Sequence, residues 1–415
     1  MKAQTILIIY LLVFAADFLW ERFLTLLNMR YVRSHGKKPP EPLSRHITLK
    51  LFSRSVDYTL ERSRFGLISS TVTALFILLM ILSGWLGQLD RLIQALPIIS
   101  SLKSILYIYL ISLIFSLISL PFSLHSQFII EERYGFNRMT LKLFFIDLLK
   151  SLVISLILFT PLLFVLFWFM EETGTWWWLW AFGLIAIFQI VVIFIYPTLI
   201  APLFNKFLPL KEGSLKERII GLTEAENFPI KGVYVVDGSK RSGHSNAYFT
   251  GFGRSKRIVL FDTLMEKLKE KQITAVLAHE IGHQKKHHVL IHLIISMISL
   301  LIGLWLISLL LTYDPFFTAF GFAAAGNHSA LVLFLFFSSP FTFLLKPLFS
   351  AWSRSHEYAA DRFAARAMDE SESLQGALIN MSRDNLSNLT PHPLYSFYHY
   401  SHPALVERLA ALRKL

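Results

Sequence analysis

The 415-residue chain has no cysteine. Disulfides, thiolate metal sites and a cysteine nucleophile are thereby excluded, and histidine and carboxylate side chains remain as the only strong metal ligands. Charge is scarce too: Asp, Glu, Lys and Arg make up 16% of the residues, against 54% hydrophobic. A soluble domain carries about a quarter charged residues, so this composition points to a membrane. The charge that remains is positive, +12 with histidine neutral. Such an excess suits nucleic acid or the cytoplasmic loops of a membrane protein, and its distribution decides between them.

Seven stretches come near the about 20 apolar residues that cross a bilayer: 6–23, 65–87, 104–128, 151–170, 176–199, 289–311 and 331–345. The first holds Asp17 and Glu21. A signal peptide is the competing reading there, but only Lys2 stands in its head region and the apolar run continues through Phe18, Leu19 and Trp20 past Ala15 and Ala16. It is therefore expected to be a retained span. Lys and Arg concentrate after spans one, three, five and seven: Arg30 to Arg54, then Arg133, Arg138 and Lys142, then 206–286, then 354–414. Glu171 to Gly174 and Asp314 to His328 have none. Basic loops stay cytoplasmic, so the N-terminus is expected outside and the C-terminus in the cytoplasm. No basic stripe with interleaved aromatics stands apart from these loops, so no nucleic acid is expected as a partner, and the bilayer is.

The chain thus divides into five spans (1–200), a first cytoplasmic part (201–288), spans six and seven (289–350) and a second cytoplasmic part (351–415). Each cytoplasmic part is small for a core of its own, which predicts that the two pack as one globule. A strand is expected over 232–237, and a hairpin pairs 246–250 with 257–262 across the Gly-rich turn 251–256. No proline occurs between Ile273 and Pro315. A single helix is therefore expected to run from there into span six.

On that helix lies His279-Glu280-Ile281-Gly282-His283, an H-E-x-x-H motif. Residues i and i+4 share one helix face, so both imidazoles can reach one Zn²⁺. Zinc lowers the pKa of a water and polarises a carbonyl, while the carboxylate next to the first His takes the proton and passes it to the leaving amine. The bland alternative is a surface helix with two satisfied histidines. A third ligand is still required. His287 lies about 12 Å along the axis from His279 and cannot share its metal. His287, His288 and His292 read instead as polar residues where span six meets the interface. Ser353 to Ala364 supplies a candidate, because Glu357 and Asp361 form an i,i+4 carboxylate pair, one to bind metal and one to hold a ligand His. His356 stays open as the other choice for that ligand.

The pairing of His279-Glu280-Ile281-Gly282-His283 with Glu357-Tyr358-Ala359-Ala360-Asp361 under seven spans resembles the type I CAAX prenyl protease family, integral-membrane gluzincin metallopeptidases. Arg133 to Asn137, His244 to Phe249, Tyr400 to Arg408, 58–65 and 197–205 resemble segments of that family in the same order, covering essentially the whole chain. The resemblance implies a mainly α polytopic fold: seven transmembrane helices around a chamber, and a cytoplasmic gluzincin-like domain with a small β-hairpin or sheet. It implies one Zn²⁺ per chain on His279, His283 and Glu357, Glu280 as general base and Asp361 as partner of His279. Asn246 and Ala247 match the edge strand that pairs with substrate backbone. His402 and Arg408 match residues that stabilise the tetrahedral oxyanion; read alone, they are a loop histidine and a helix-surface charge.

The family cleaves polypeptides after a prenylated cysteine near the C-terminus. Loops short beside those of eukaryotic members point to a prokaryotic version, in the bacterial inner membrane ahead of the endoplasmic reticulum, with another membrane-associated protein as substrate. Two rivals carry less of the pattern. A site-2-type intramembrane protease places its motif within a span, whereas Lys285 and Lys286 follow it here, and the chain has no Leu-Asp-Gly. A membrane chaperone or binding protein with a structural zinc would show the same ligands without turnover.

Overall fold

The computed structural model describes residues 1–251 and 256–415, so the expected turn at 251–256 falls largely outside the described residues. The apolar runs become helices that overrun them. α1 (Ala3–His35), α2 (Leu49–Leu82), a short α3 (Trp85–Gln94), α4 (Ser100–His125), α5 (Leu141–Glu172) and α6 (Trp177–Ile195) form the first part. α1 and α2, with 33 and 34 residues, run about 50 Å at 1.5 Å per residue. That exceeds the roughly 30 Å of hydrocarbon, so their charged ends extend clear of the apolar band.

A short α7 (Ala201–Phe204) leads into the part of the chain that holds the sheet. Its sheet comprises β1 (Phe207–Pro209), β2 (Gly232–Val236), β3 (Ala247–Thr250) and β4 (Arg257–Phe261), in the order β1-β2-β4-β3. β3 pairs antiparallel with β4, as the sequence suggested, and forms one edge; β2 pairs parallel with β4, and β1 is an addition. Around the sheet lie α8 (Ser214–Ala225), α9 (Asp262–Lys267) and α10 (Glu270–Lys285). The chain then passes through α11 (His288–Leu310), α12 (Asp314–Ala319) and α13 (Asn327–Thr342) before α14 (Lys346–Ala367), α15 (Glu372–Asp384), α16 (Pro393–His399) and α17 (Leu405–Leu412). Ile258, Leu264, Leu277 and Ile281 share one buried core with Ala364, Leu374, Ala377 and Leu412. Residues on both sides of the last spans thus build a single interior.

Among the described residues, six helices are long and apolar enough to cross a membrane, or seven if α13 and α14 count as one span bent by 71°. Pro347 stands in the first turn of α14, where its missing N–H costs nothing. α13, with its 16 residues, is about 24 Å long and so makes a short seventh span. Away from the sheet, Tyr10, Phe316, Phe317, Phe320 and Trp177 join one aromatic core. There Gly87 lets α3 approach the loop after α12, since a Cβ would stand 1.8 Å from Gly321 O.

One expectation fails. α10 does not run into span six: it ends at Lys285, and α11 starts at His288 after His287 in the left-handed region, φ 57°. Freedom from proline permits a helix without enforcing it. The local cost of a non-glycine residue at positive φ is offset by what the break positions.

A cavity of about 1040 Å³ extends from His402 and Arg408 along α1 and α2. Its wall includes Glu21, Arg22, Arg62 and Ser70 toward the spans and His402 and Arg408 at the other end.

Candidate active site

α10 and α14 pack face to face, and the contact depends on a glycine inside the motif. A Cβ at Gly282 would stand 3.1 Å from both Ala360 Cα and Phe363 Cβ, tighter than ordinary contact. That closeness delivers Glu357 to the two imidazoles. Its Oε1 lies 3.3 Å from His283 Nε2 and its Oε2 3.5 Å from His279 Nε2, while the two Nε2 atoms are 3.2 Å apart. Ligands of one zinc, with bonds of about 2.0–2.1 Å at tetrahedral angles, stand about 3.3 Å from one another. The three donors already have that spacing. Glu357 is buried, and its Oε2 has no aligned hydrogen-bond partner although His402 Nδ1 approaches to 2.8 Å. A buried carboxylate oxygen with an unused lone pair fits a cation as its missing partner. Asp, Glu and His are the donors present, as the absence of cysteine requires.

Asp361, one turn after Glu357, faces the other side of His279, with Oδ1 2.8 Å from His279 Nδ1. Arg408 on α17 donates to Asp361 through Nε at 2.9 Å and Nη2 at 2.5 Å, and its Nη1 stands 3.6 Å from Glu357 Oε2. Both are buried, which leaves their pairing well satisfied. Burial disfavours the charged form of His279, but the hydrogen bonds to Asp361 and Glu357 outweigh it and push the imidazole up to about 9. The Arg408 guanidinium moves up as well: burial opposes its charge, and Asp361 more than compensates.

Glu280 makes no hydrogen bond among the described residues. Burial pushes its carboxyl above the ordinary glutamate value, against the pull of His279 and His283. A carboxylate with a raised pKa and free oxygens suits proton transfer. His402 is mostly exposed at the cavity edge yet reaches Glu357, and Arg408 is a buried partner of Asp361 rather than a surface charge. Asn246 precedes β3 and is exposed, whereas Ala247 is its first, buried residue. β3 lies against α10 with one edge unpaired in the sheet.

His288 is the residue the sequence concealed. On an unbroken helix it would sit about 140° around from His283. The turn at His287 instead folds it back, so that its Nδ1 lies 3.0 Å from His283 Nδ1, and the residue is buried. The ring of His356 stacks on His288 at 3.9 Å with 3° between planes. His356 is thus not among the three donors that come together, which are His279, His283 and Glu357. His292 packs on Trp352 and His356.

A helix-borne His pair completed by a carboxylate from a second helix, beneath a bundle of apolar spans, defines a membrane zinc metallopeptidase. Residues 28–206 match the model described as CAAX prenyl protease N-terminal, five membrane helices, and 209–415 match Peptidase family M48. The chain is 37% identical to a CAAX prenyl protease 1 homolog of Arabidopsis thaliana, over 90% of each chain. It is 34% identical to that of Homo sapiens, over 96% of this chain and 93% of the relative. A crystal structure of S. mikatae Ste24p superposes with a TM-score of 0.92 at 33% identity, covering 99% of both chains. The chain belongs to the CAAX prenyl protease type I family of M48 peptidases, and it is an integral multi-pass membrane endopeptidase.

Proposed function

We propose that the chain binds one Zn²⁺ through His279, His283 and Glu357 and cleaves membrane-associated polypeptides, including prenylated C-terminal peptides, at the cytoplasmic face of its membrane. The single observation that carries this reading is the set of three donor distances around the H-E-x-x-H pair, all near the spacing one zinc demands. When bound, zinc supplies Lewis acidity toward a scissile carbonyl and acidifies a water. Glu280 accepts the proton of the attacking water and returns it to the departing amine. His402 and Arg408 line the cavity beside Glu357 and stabilise negative charge on the carbonyl oxygen. Asp361 holds the outer nitrogen of His279, fixing its tautomer and ring. Asn246 and Ala247 at the free edge of β3 take the substrate backbone as an added strand, a mode that tolerates varied side chains.

The division proposed is five spans over 1–200, peptidase parts over 201–288 and 351–415, and two spans over 289–350. The shared core of the two peptidase parts supports it. The distribution of Lys and Arg supports an outside N-terminus and a cytoplasmic C-terminus. Compactness does not favour a bacterial inner membrane over the endoplasmic reticulum. The Arabidopsis relative is covered to the same 90% as this chain and is therefore of similar length. A prenylated substrate is supported by what the relatives are named for. Incubating the purified protein with a farnesylated C-terminal peptide and its unmodified twin, and weighing the products, tests this reading. Release of the residues after the prenylated cysteine is expected; cleavage of neither peptide would remove the C-terminal assignment.

A further inference from the structure

The cavity reaches from His402 and Arg408, which contact Glu357, into the bundle, and two of the cations on its membrane side touch no carboxylate directly among the described residues. A charge on a spanning helix is costly and is retained where it faces a cavity and serves it. Glu21 answers this cost with Lys346, whose Nζ lies 2.9 Å from Oε1, while the His399 ring approaches Oε2 to 3.3 Å without an aligned hydrogen bond. Arg22 and Arg62 differ. Among the described residues neither has a carboxylate within ion-pair distance. Arg62 spends Nη1 on Tyr58 Oη at 3.2 Å, which leaves Nε and Nη2, the side-on fork that grips a carboxylate, without a partner. Arg22 stacks over the Phe18 ring at 3.7 Å and donates through Nη2 to Ser70 Oγ at 2.8 Å and Thr71 Oγ1 at 3.2 Å, while its buried Nε has no hydrogen-bond partner among the described residues. Guanidiniums held in place with donors unspent are suited to an anion that arrives from outside.

Their placement suits the terminal carboxylate of a peptide. Tyr58, one turn before Arg62, donates to Glu131 Oε1 at 2.7 Å; Glu131 Oε2 lies 3.3 Å from His244 Nε2, two residues before Asn246. Arg62 therefore stands near the strand edge assigned to substrate. Ser70, the anchor of Arg22, is eight residues further along α2, about 12 Å deeper. An extended peptide advances about 3.3–3.6 Å per residue, so three residues beyond a scissile bond place the terminal carboxylate about 10 Å from it.

We propose that Arg62, with Arg22 deeper in the chamber, binds the C-terminal carboxylate of the peptide being cut. The proposal rests on the C-terminal cleavage reading above. It makes the free terminus a specificity determinant: the chamber measures the tail that leaves.

Two prenylated peptides of one sequence, ending in a free acid or an amide, are assayed in neutral detergent so that no lipid phosphate competes. The wild type is expected to prefer the acid about tenfold or more in kcat/KM, the size of a lost charged hydrogen bond. Arg62→Gln, and more fully Arg62→Gln with Arg22→Gln, should bring the acid-to-amide ratio toward one, while Arg62→Lys keeps part of it. The ratio is taken on one preparation, so loss of folded enzyme cancels. A wild-type ratio of one, or a ratio that survives in the double variant, overturns the proposal. If the wild type cuts neither peptide but still cuts inside a longer membrane polypeptide, it is the C-terminal reading that falls.

Discussion

At the zinc end of the cavity, Asp361 is gripped by Arg408 and His279, and Glu357 faces three imidazoles. At the membrane end, Arg22 and Arg62 have guanidinium N–H groups without hydrogen-bond partners among the described residues. One wall thus holds its charges in fixed, buried pairs, and the other holds charge in reserve. The difference separates two kinds of work. Metal ligands need their orientation set before substrate arrives. A binding wall needs donors that only the substrate completes.

Breaking a buried pair should have the largest effect. Arg408→Ala strands Asp361 in the interior and is expected to cost about 3–5 kcal/mol, read as a lower Tm in a thermal melt. Loosening the ligands without removing them comes next. Asp361→Asn and His288→Ala should each weaken zinc binding by about 10- to 100-fold in a competition titration with a chelator, because each supports one ligand imidazole from behind. Proton competition sharpens the same contrast. The metal-free His279 is charged below about 9, and zinc must displace that proton. Affinity should therefore fall as pH drops, by about tenfold per unit across pH 6 to 8. On the membrane side, Glu21→Gln removes a half-exposed contact to Lys346 and His399. About 1 kcal/mol or less is expected, with zinc content unchanged by elemental analysis.

Much of this was legible because the signals are local. Long apolar runs announce spans wherever they fold, and i,i+4 spacing puts His279 and His283 on one face whatever surrounds them. Glu357 and Asp361 were legible as a pair for the same reason. What could not be read depended on a third dimension. His288 joins His283 only because His287 adopts a left-handed turn, and nothing in the run of good helix formers marks that break. The 71° bend before α14 was not legible either, although Pro347 stands in the first turn of that helix. Arg408 looked like a surface charge because its partner is 47 positions away in sequence. The chamber charges stayed silent too, since pairing in α1 and α2 is decided between helices.

The central claim is that Glu280 moves the proton while His279, His283 and Glu357 hold the metal. Glu280→Gln separates these roles, because it keeps the side chain's shape and removes its basicity. Zinc content and cleavage are to be measured together on the purified variant. One zinc per chain with proteolysis abolished is the predicted result; full cleavage by that variant would contradict the account.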